Sequence, residues 1–216
     1  MKKAVRWMAW VGAWAGVMTT AGGCAPLVVG GAMVGGAIVA TDRRSPGIQI
    51  EDQAIESRVG KALAARYEKG SVSVNVNSYN RRVLLTGEVR NAADKAEVER
   101  IAAAQENVRT VTNELYVGEL STFYNRNNDT SITAKVKAAL LNERNLPSNA
   151  ILVHTSRSVV YLMGRVSEPE GNLAARTASR VDGVRQVVAL FEYMTDEEWK
   201  ALKVQTPPPP PESQRK

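Results

Sequence analysis

Val83-Leu84-Leu85-Thr86-Gly87-Glu88-Val89 decides the fold, because the chain writes this stretch twice. Val160-Tyr161-Leu162-Met163-Gly164-Arg165-Val166 repeats its order of apolar run, glycine, charge and valine 77 residues later. The same offset carries Asp52 onto Asp129, Ile55 onto Ile132, Val59 onto Val136, Leu63 onto Leu140, Val74 onto Ile151 and Val76 onto Val153. Beyond the glycine the register slips by one, so Val108 falls on Val184 and Val111 on Val187. So many apolar positions in fixed register mean one module used twice.

Each copy alternates two periods. Ile55, Val59, Ala62 and Leu63 recur at helical spacing behind Asp52, which reads as an N-cap. Val72, Val74 and Val76 then alternate with polar residues, the signature of a half-buried strand. Tyr79-Asn80-Arg81 turns the chain into a strand over Arg82–Val89. A helix follows over Ala92–Gln105, with Val98, Ile101 and Ala102 on one side, and a last strand carries Val108, Val111, Leu115 and Val117. The second copy repeats this order. Asp129 caps a helix buried along Ile132, Val136, Ala139 and Leu140, and Ile151 and Val153 begin the hairpin. A helix over Leu173–Val181 leads to a strand over Val184–Met194, with Val187, Ala189 and Phe191 inward. The expected fold is α+β: two tandem αββαβ modules, each a three-stranded mixed sheet covered by two helices. Gly87 and Gly164 lie in no phosphate-binding pattern, so each reads as a bulge or a close backbone approach.

The order of segments is a leader (1–23), a tether (24–51), module one (52–117), a linker (118–128), module two (129–194) and a tail (195–216). Lys2, Lys3 and Arg6 precede an apolar run, Trp7 to Val17, that is too short to span a bilayer of about 30 Å. Ala21-Gly22-Gly23 then places small residues directly before Cys24, which resembles a bacterial lipobox with Ala21 where leucine is usual. Cys24 is thus expected to carry acyl chains. Loss of the leader, with Lys2, Lys3 and Arg6, lowers the formal net charge from +6 to +3. The first repeat holds ten basic and nine acidic residues and the second eight and six, a mild positive excess that is only a weak steering signal. The central strands lack the aromatics expected of RNA-binding folds and the leader directs export, so no nucleic-acid partner is expected.

Chemistry is excluded more firmly than it is suggested. With one cysteine and one histidine, His154, the chain has no thiolate or histidine metal cage and no intramolecular disulfide. His154 falls on the polar side of its strand and reads as structural or surface. No HExxH or GxSxG pattern is present, and nothing nominates a catalytic pair, a cofactor or a small-molecule substrate. In the tail, Thr195-Asp196-Glu197-Glu198 is a capping-box pattern, Trp199 either docks on the second module or meets lipid, and Pro207–Pro211 imposes an extended end.

The paired αββαβ units, the glycines at 87 and 164, and the lead-ins Asn107-Val108-Arg109-Thr110-Val111 and Asp182-Gly183-Val184-Arg185-Gln186-Val187 resemble the BON domain family, with Asn107 standing where that family has glycine. Cys24, the apolar tether and Thr41-Asp42-Arg43-Arg44-Ser45 extend the likeness to its two-module outer-membrane lipoproteins. That resemblance implies a non-enzymatic protein, lipid-anchored in the outer membrane and facing the periplasm. Ala25 and Pro26 after the cysteine agree, since an aspartate there signals inner-membrane retention. It also implies that the first helix of the second module binds anionic phospholipid in support of envelope integrity. Its outer face carries Ser131, Ala134, Lys135, Ala138 and Leu141, with Lys137 to one side. Such proteins carry a large aromatic where this chain has Ser131. Phe123 and Tyr124 either replace that anchor or pack the modules together. The alternative function is a periplasmic adaptor for an outer-membrane assembly machine or for cell-wall partners.

Overall fold

The computed structural model describes residues 42–120, 123–144, 146–195 and 197–198. The expectations for the leader, for Cys24, for the tether to residue 41 and for Trp199 and the proline run lie outside the described residues, as do the side chains of Phe123 and Tyr124.

Helix α1 (Pro46–Arg66) starts earlier than its hydrophobic stripe suggests. Pro46 sets the helical φ of the first turn, and Ser45 caps it by accepting from the Ile48 amide at 3.3 Å. Asp52 is therefore not an N-cap. It sits inside the helix, 2 % exposed, and reaches across to the hairpin of β1 (Ser73–Tyr79) and β2 (Arg82–Val89). Its carboxylate accepts from the Asn80 and Arg81 amides at 2.8 and 2.7 Å and from the Ser78 hydroxyl at 2.7 Å. Asn80 and Arg81 both have positive φ, 52° and 64°, the conformation of a two-residue turn that ordinarily asks for Asn-Gly. The buried carboxylate holds that turn without glycine.

Module two repeats the device. Asp129 lies within α3 (Phe123–Leu141) and accepts from the Arg157 and Ser158 amides, both at 2.8 Å. Those residues form the left-handed turn between β5 (Ile151–Ser156) and β6 (Val159–Val166).

In module one α2 (Ala92–Ala103) returns the chain so that β3 (Thr110–Asn113) and β4 (Tyr116–Val117) lie parallel to β2. The single last strand expected there is thus broken. Leu115 turns into the core at 2 % exposure, and its amide is taken up by the Asn113 side chain at 3.2 Å. In module two α4 (Glu168–Ser179) also starts earlier than expected, because Glu170 reaches back to the Ser167 amide at 2.8 Å. Strand β7 (Gln186–Tyr193) runs unbroken beside β6. Ala189, expected inward, is exposed on this edge strand, while Phe191 is buried and Val187 packs against the same core. Ala139 of α3 is only half-buried.

Each module is therefore an α+β layer pair with the central strand, β2 or β6, buried on both faces. One face meets the helices: Ile55, Val59, Val83, Leu85 and Val98 in module one, and Ile132, Val136, Val160, Leu162 and Ala174 in module two. The opposite faces meet each other.

Candidate functional site

Two surfaces bear on function: the outward face of α3, which the sequence nominated, and the seam between the modules, which it did not.

Along α3 the structure separates the two faces as the spacing requires. Ile132, Val136 and Leu140 are at most 1 % exposed, whereas Leu141 next to them is 64 % exposed. Ser131, Ala134, Lys135 and Ala138 are exposed along the same outer side as Leu141. Lys137, also exposed, stands on the flank. It lines a groove of about 250 Å³ with Leu141, Ser148, Asn149 and Ile151. Neither lysine makes an ion pair among the described residues. The site sets one exposed leucine and small side chains that let the helix backbone approach a surface between two lysines, Lys135 towards one side of the face and Lys137 on the other.

The seam forms because the strands are apolar on both sides. Tyr79 and Leu84 of module one pack against Val159, Tyr161 and Met163 of module two, with Leu152, Val188 and Leu190 at the margin. Polar ties surround this cluster. The Tyr79 hydroxyl donates to the Ala150 carbonyl at 3.4 Å and accepts from the Arg165 amide at 3.2 Å. Asn80 donates to Glu192 at 2.7 Å. Arg43, ahead of module one in sequence, forks onto Glu170 of module two with two bonds of 2.8 Å, both side chains 9 % exposed. Burial would raise the Glu170 carboxyl, but Arg43 and the Ser167 amide hold it below the ordinary carboxylate value. The signal for this seam was present in sequence, since Val83-Leu84-Leu85 and Val159 to Met163 run apolar without alternation. Such runs mean burial on both faces.

His154 lies in the seam, where its Nε2 sits 2.7 Å from the Thr86 hydroxyl. Burial pushes the imidazole below its ordinary value, Asp129 opposes the shift, and Lys137 adds to it. The folded protein thus binds a proton at this ring less readily than the unfolded chain does. Stability from the neutral ring is complete above about pH 6.5 and is lost as pH falls from there towards the depressed folded value. Expected is a decline in unfolding free energy of up to about 1.4 kcal/mol per pH unit in that window, measured by urea unfolding between pH 7.5 and 5. His154→Gln should flatten this segment. An identical slope in both proteins would show that other groups carry it.

The BON domain family matches residues 51–119 and 128–195, one span for each αββ-led unit. The chain belongs to the BON domain family. Among relatives, the outer membrane lipoprotein DolP of Haemophilus influenzae is 35% identical over 80% of this chain and 89% of its own length. A 21 kDa hemolysin of Actinobacillus pleuropneumoniae is 30% identical over 71% of this chain and 79% of its own. The osmotically-inducible protein Y of Escherichia coli is 31% identical over 65% and 70%. Among the described residues, no group of three or more acidic, histidine or cysteine side chains in either BON module could hold a metal ion, and no helix is long and apolar enough to cross a membrane.

Proposed function

We propose that this BON protein is a non-enzymatic lipoprotein of the outer membrane, anchored through Cys24 on the periplasmic side. In this reading it binds anionic phospholipid through the outer face of α3 and so supports envelope integrity. The observation that carries the reading is Leu141: a large apolar side chain left 64 % exposed beside Lys135 and Lys137, on a helix whose other face is fully packed. The likeness to an outer membrane lipoprotein over most of both chains supports the location. The face suits a lipid surface on two physical grounds. Each lysine near an anionic bilayer contributes about 1 kcal/mol, and inserting a leucine recovers part of its transfer free energy of about 1.5–3 kcal/mol. Ser131, Ala134 and Ala138 between them are short enough to bring the helix close to headgroups.

Cosedimentation of the unacylated chain, starting at Ala25, with phosphatidylglycerol and phosphatidylcholine vesicles tests the proposal. Expected is selective binding to the anionic vesicles that weakens at least about tenfold with Lys135→Glu combined with Leu141→Glu. Equal indifference to both vesicles would reject the lipid reading and favour the periplasmic adaptor.

A further inference from the structure

The seam between the modules opens at one side into a cleft of about 240 Å³ that neither the fold nor the α3 reading uses. Lys95, Glu114, Leu115 and Tyr116 of module one line it together with Ser156, Arg157, Tyr161 and Arg185 of module two. Three of these side chains are cations, and Glu114 is the single carboxylate. Lys95 and Arg185 make no ion pair among the described residues. Arg157 is held rather than free. Its guanidinium stacks on the Tyr116 ring at 3.9 Å, and its Nη1 lies 3.9 Å from the buried Glu88. The Tyr116 ring lies over Gly118, where an added Cβ would fall 2.5 Å from it. A long cationic side chain on a surface ordinarily keeps its rotamer freedom, and immobilising one costs up to about 2 kcal/mol. Here that entropy is already lost, which is the preorganisation a binding site needs.

We propose that this cleft binds a phosphate monoester, with Arg157, Arg185 and Lys95 as its ligands to the phosphate oxygens. The dianion fits the arrangement better than a carboxylate does. It presents three acceptor oxygens and about −1.5 to −2 charges to cations that arrive from different elements, the two arginines through planar forks. The cleft is also several times the size of a phosphate group. That leaves space for a sugar-sized body over Leu115 and Val159, with the Ser156 hydroxyl at its wall. The two modules supply the cations jointly, so the site exists only when they are docked. This inference is independent of the α3 face, which shares none of these residues.

Nitrogen-15 NMR of the chain from Ala25 to Lys216 tests it, with glucose 1-phosphate as probe and glucose as control. Expected are saturable shifts centred on the Arg157, Tyr161 and Arg185 amides with the phosphate ester, and none with glucose. Arg185→Ala and Lys95→Ala should each weaken binding about tenfold with no change in urea midpoint, since neither side chain makes an ion pair among the described residues. A vesicle arm and a soluble arm separate the sources of the group. Phosphatidic acid vesicles that bind by way of Lys95 and Arg185, with glucose 1-phosphate silent, would assign the monoester to a lipid headgroup. The reverse assigns it to a soluble ester. Lys135→Glu with Leu141→Glu should leave glucose 1-phosphate binding unchanged, so failure of the α3 reading is distinguishable from failure of this one. Shifts of equal size with glucose, or none with either phosphate source, would overturn the proposal.

Discussion

Asp52→Ala lowers the unfolding free energy by about 3–5 kcal/mol in urea denaturation, the largest loss expected from any single carboxylate among the described residues. The side chain is 2 % exposed and makes four bonds: to the Asn80 and Arg81 amides, to the Ser78 hydroxyl, and to Arg44 at 2.8 Å. Alanine would strand two amides in a turn held at positive φ, and would leave Arg44 with Asp42 as its remaining carboxylate. Each buried donor left unsatisfied costs about 1–3 kcal/mol. Asp129→Ala is the internal control. Its carboxylate serves the equivalent Arg157 and Ser158 amides but no arginine in the described residues, so a smaller loss of about 2–3 kcal/mol is expected. An ordinary N-cap would cost about 0.5–2 kcal/mol and would leave the hairpin turn untouched. A loss below about 1 kcal/mol for Asp52→Ala would therefore restore the N-cap reading.

That reading failed for a local reason that says what a single sequence shows. An aspartate just before a helical apolar stripe has the pattern of a cap, and only the hairpin, 28 residues on, reveals its partner. The pairing was nonetheless written in the repeat: Asp52 stands to Asn80-Arg81 as Asp129 stands to Arg157-Ser158. The turns lack glycine in both copies, so something outside the turn had to hold them. Periodicity, by contrast, located the cores correctly, because Ile55, Val59, Ile132, Val136 and Leu140 bury at the spacing their helices impose.

The outward face of α3 was legible for the same reason, being what remains when the buried stripe is subtracted. The seam was not. Alternation in β1 and β5 suggests a polar outer sheet face, on which His154 reads as either structural or surface. The unbroken apolar runs of β2 and β6 contradicted that suggestion, and the contact at 2.7 Å between His154 and Thr86 shows which signal prevailed. Where two modules of one chain each leave a sheet face that is apolar at its centre, the faces cover each other. The cleft lined by Lys95, Arg157 and Arg185 was beyond reach for a different reason: its three cations come from one helix and two separate connecting segments, and no spacing relates them.

The duplicated glycines decide how tightly each sheet closes, and they give the second large effect. Gly87→Ala is expected to cost about 2–5 kcal/mol and Gly164→Ala about 1–3 kcal/mol in urea unfolding. Both residues sit in the central strand of a sheet, opposite a backbone carbonyl of the segment that begins the hairpin. A Cβ on Gly87 would fall 2.0 Å from the Ser73 carbonyl oxygen, and one on Gly164 would fall 2.6 Å from that of Ala150. Backbone cannot swing aside as a flexible side chain can, so the strands must part. Gly87 carries a second cost, since its φ of 111° is one that alanine reaches only with strain. Gly164 has no such φ, and so the two copies, alike in sequence, should differ in their response. Ala150 also accepts the Tyr79 hydroxyl across the seam. Gly164→Ala should therefore shift the amide signals of module one around Tyr79, which a defect confined to module two would leave in place. Equal losses at both glycines would mean that crowding alone sets the cost and that the left-handed φ at Gly87 contributes nothing.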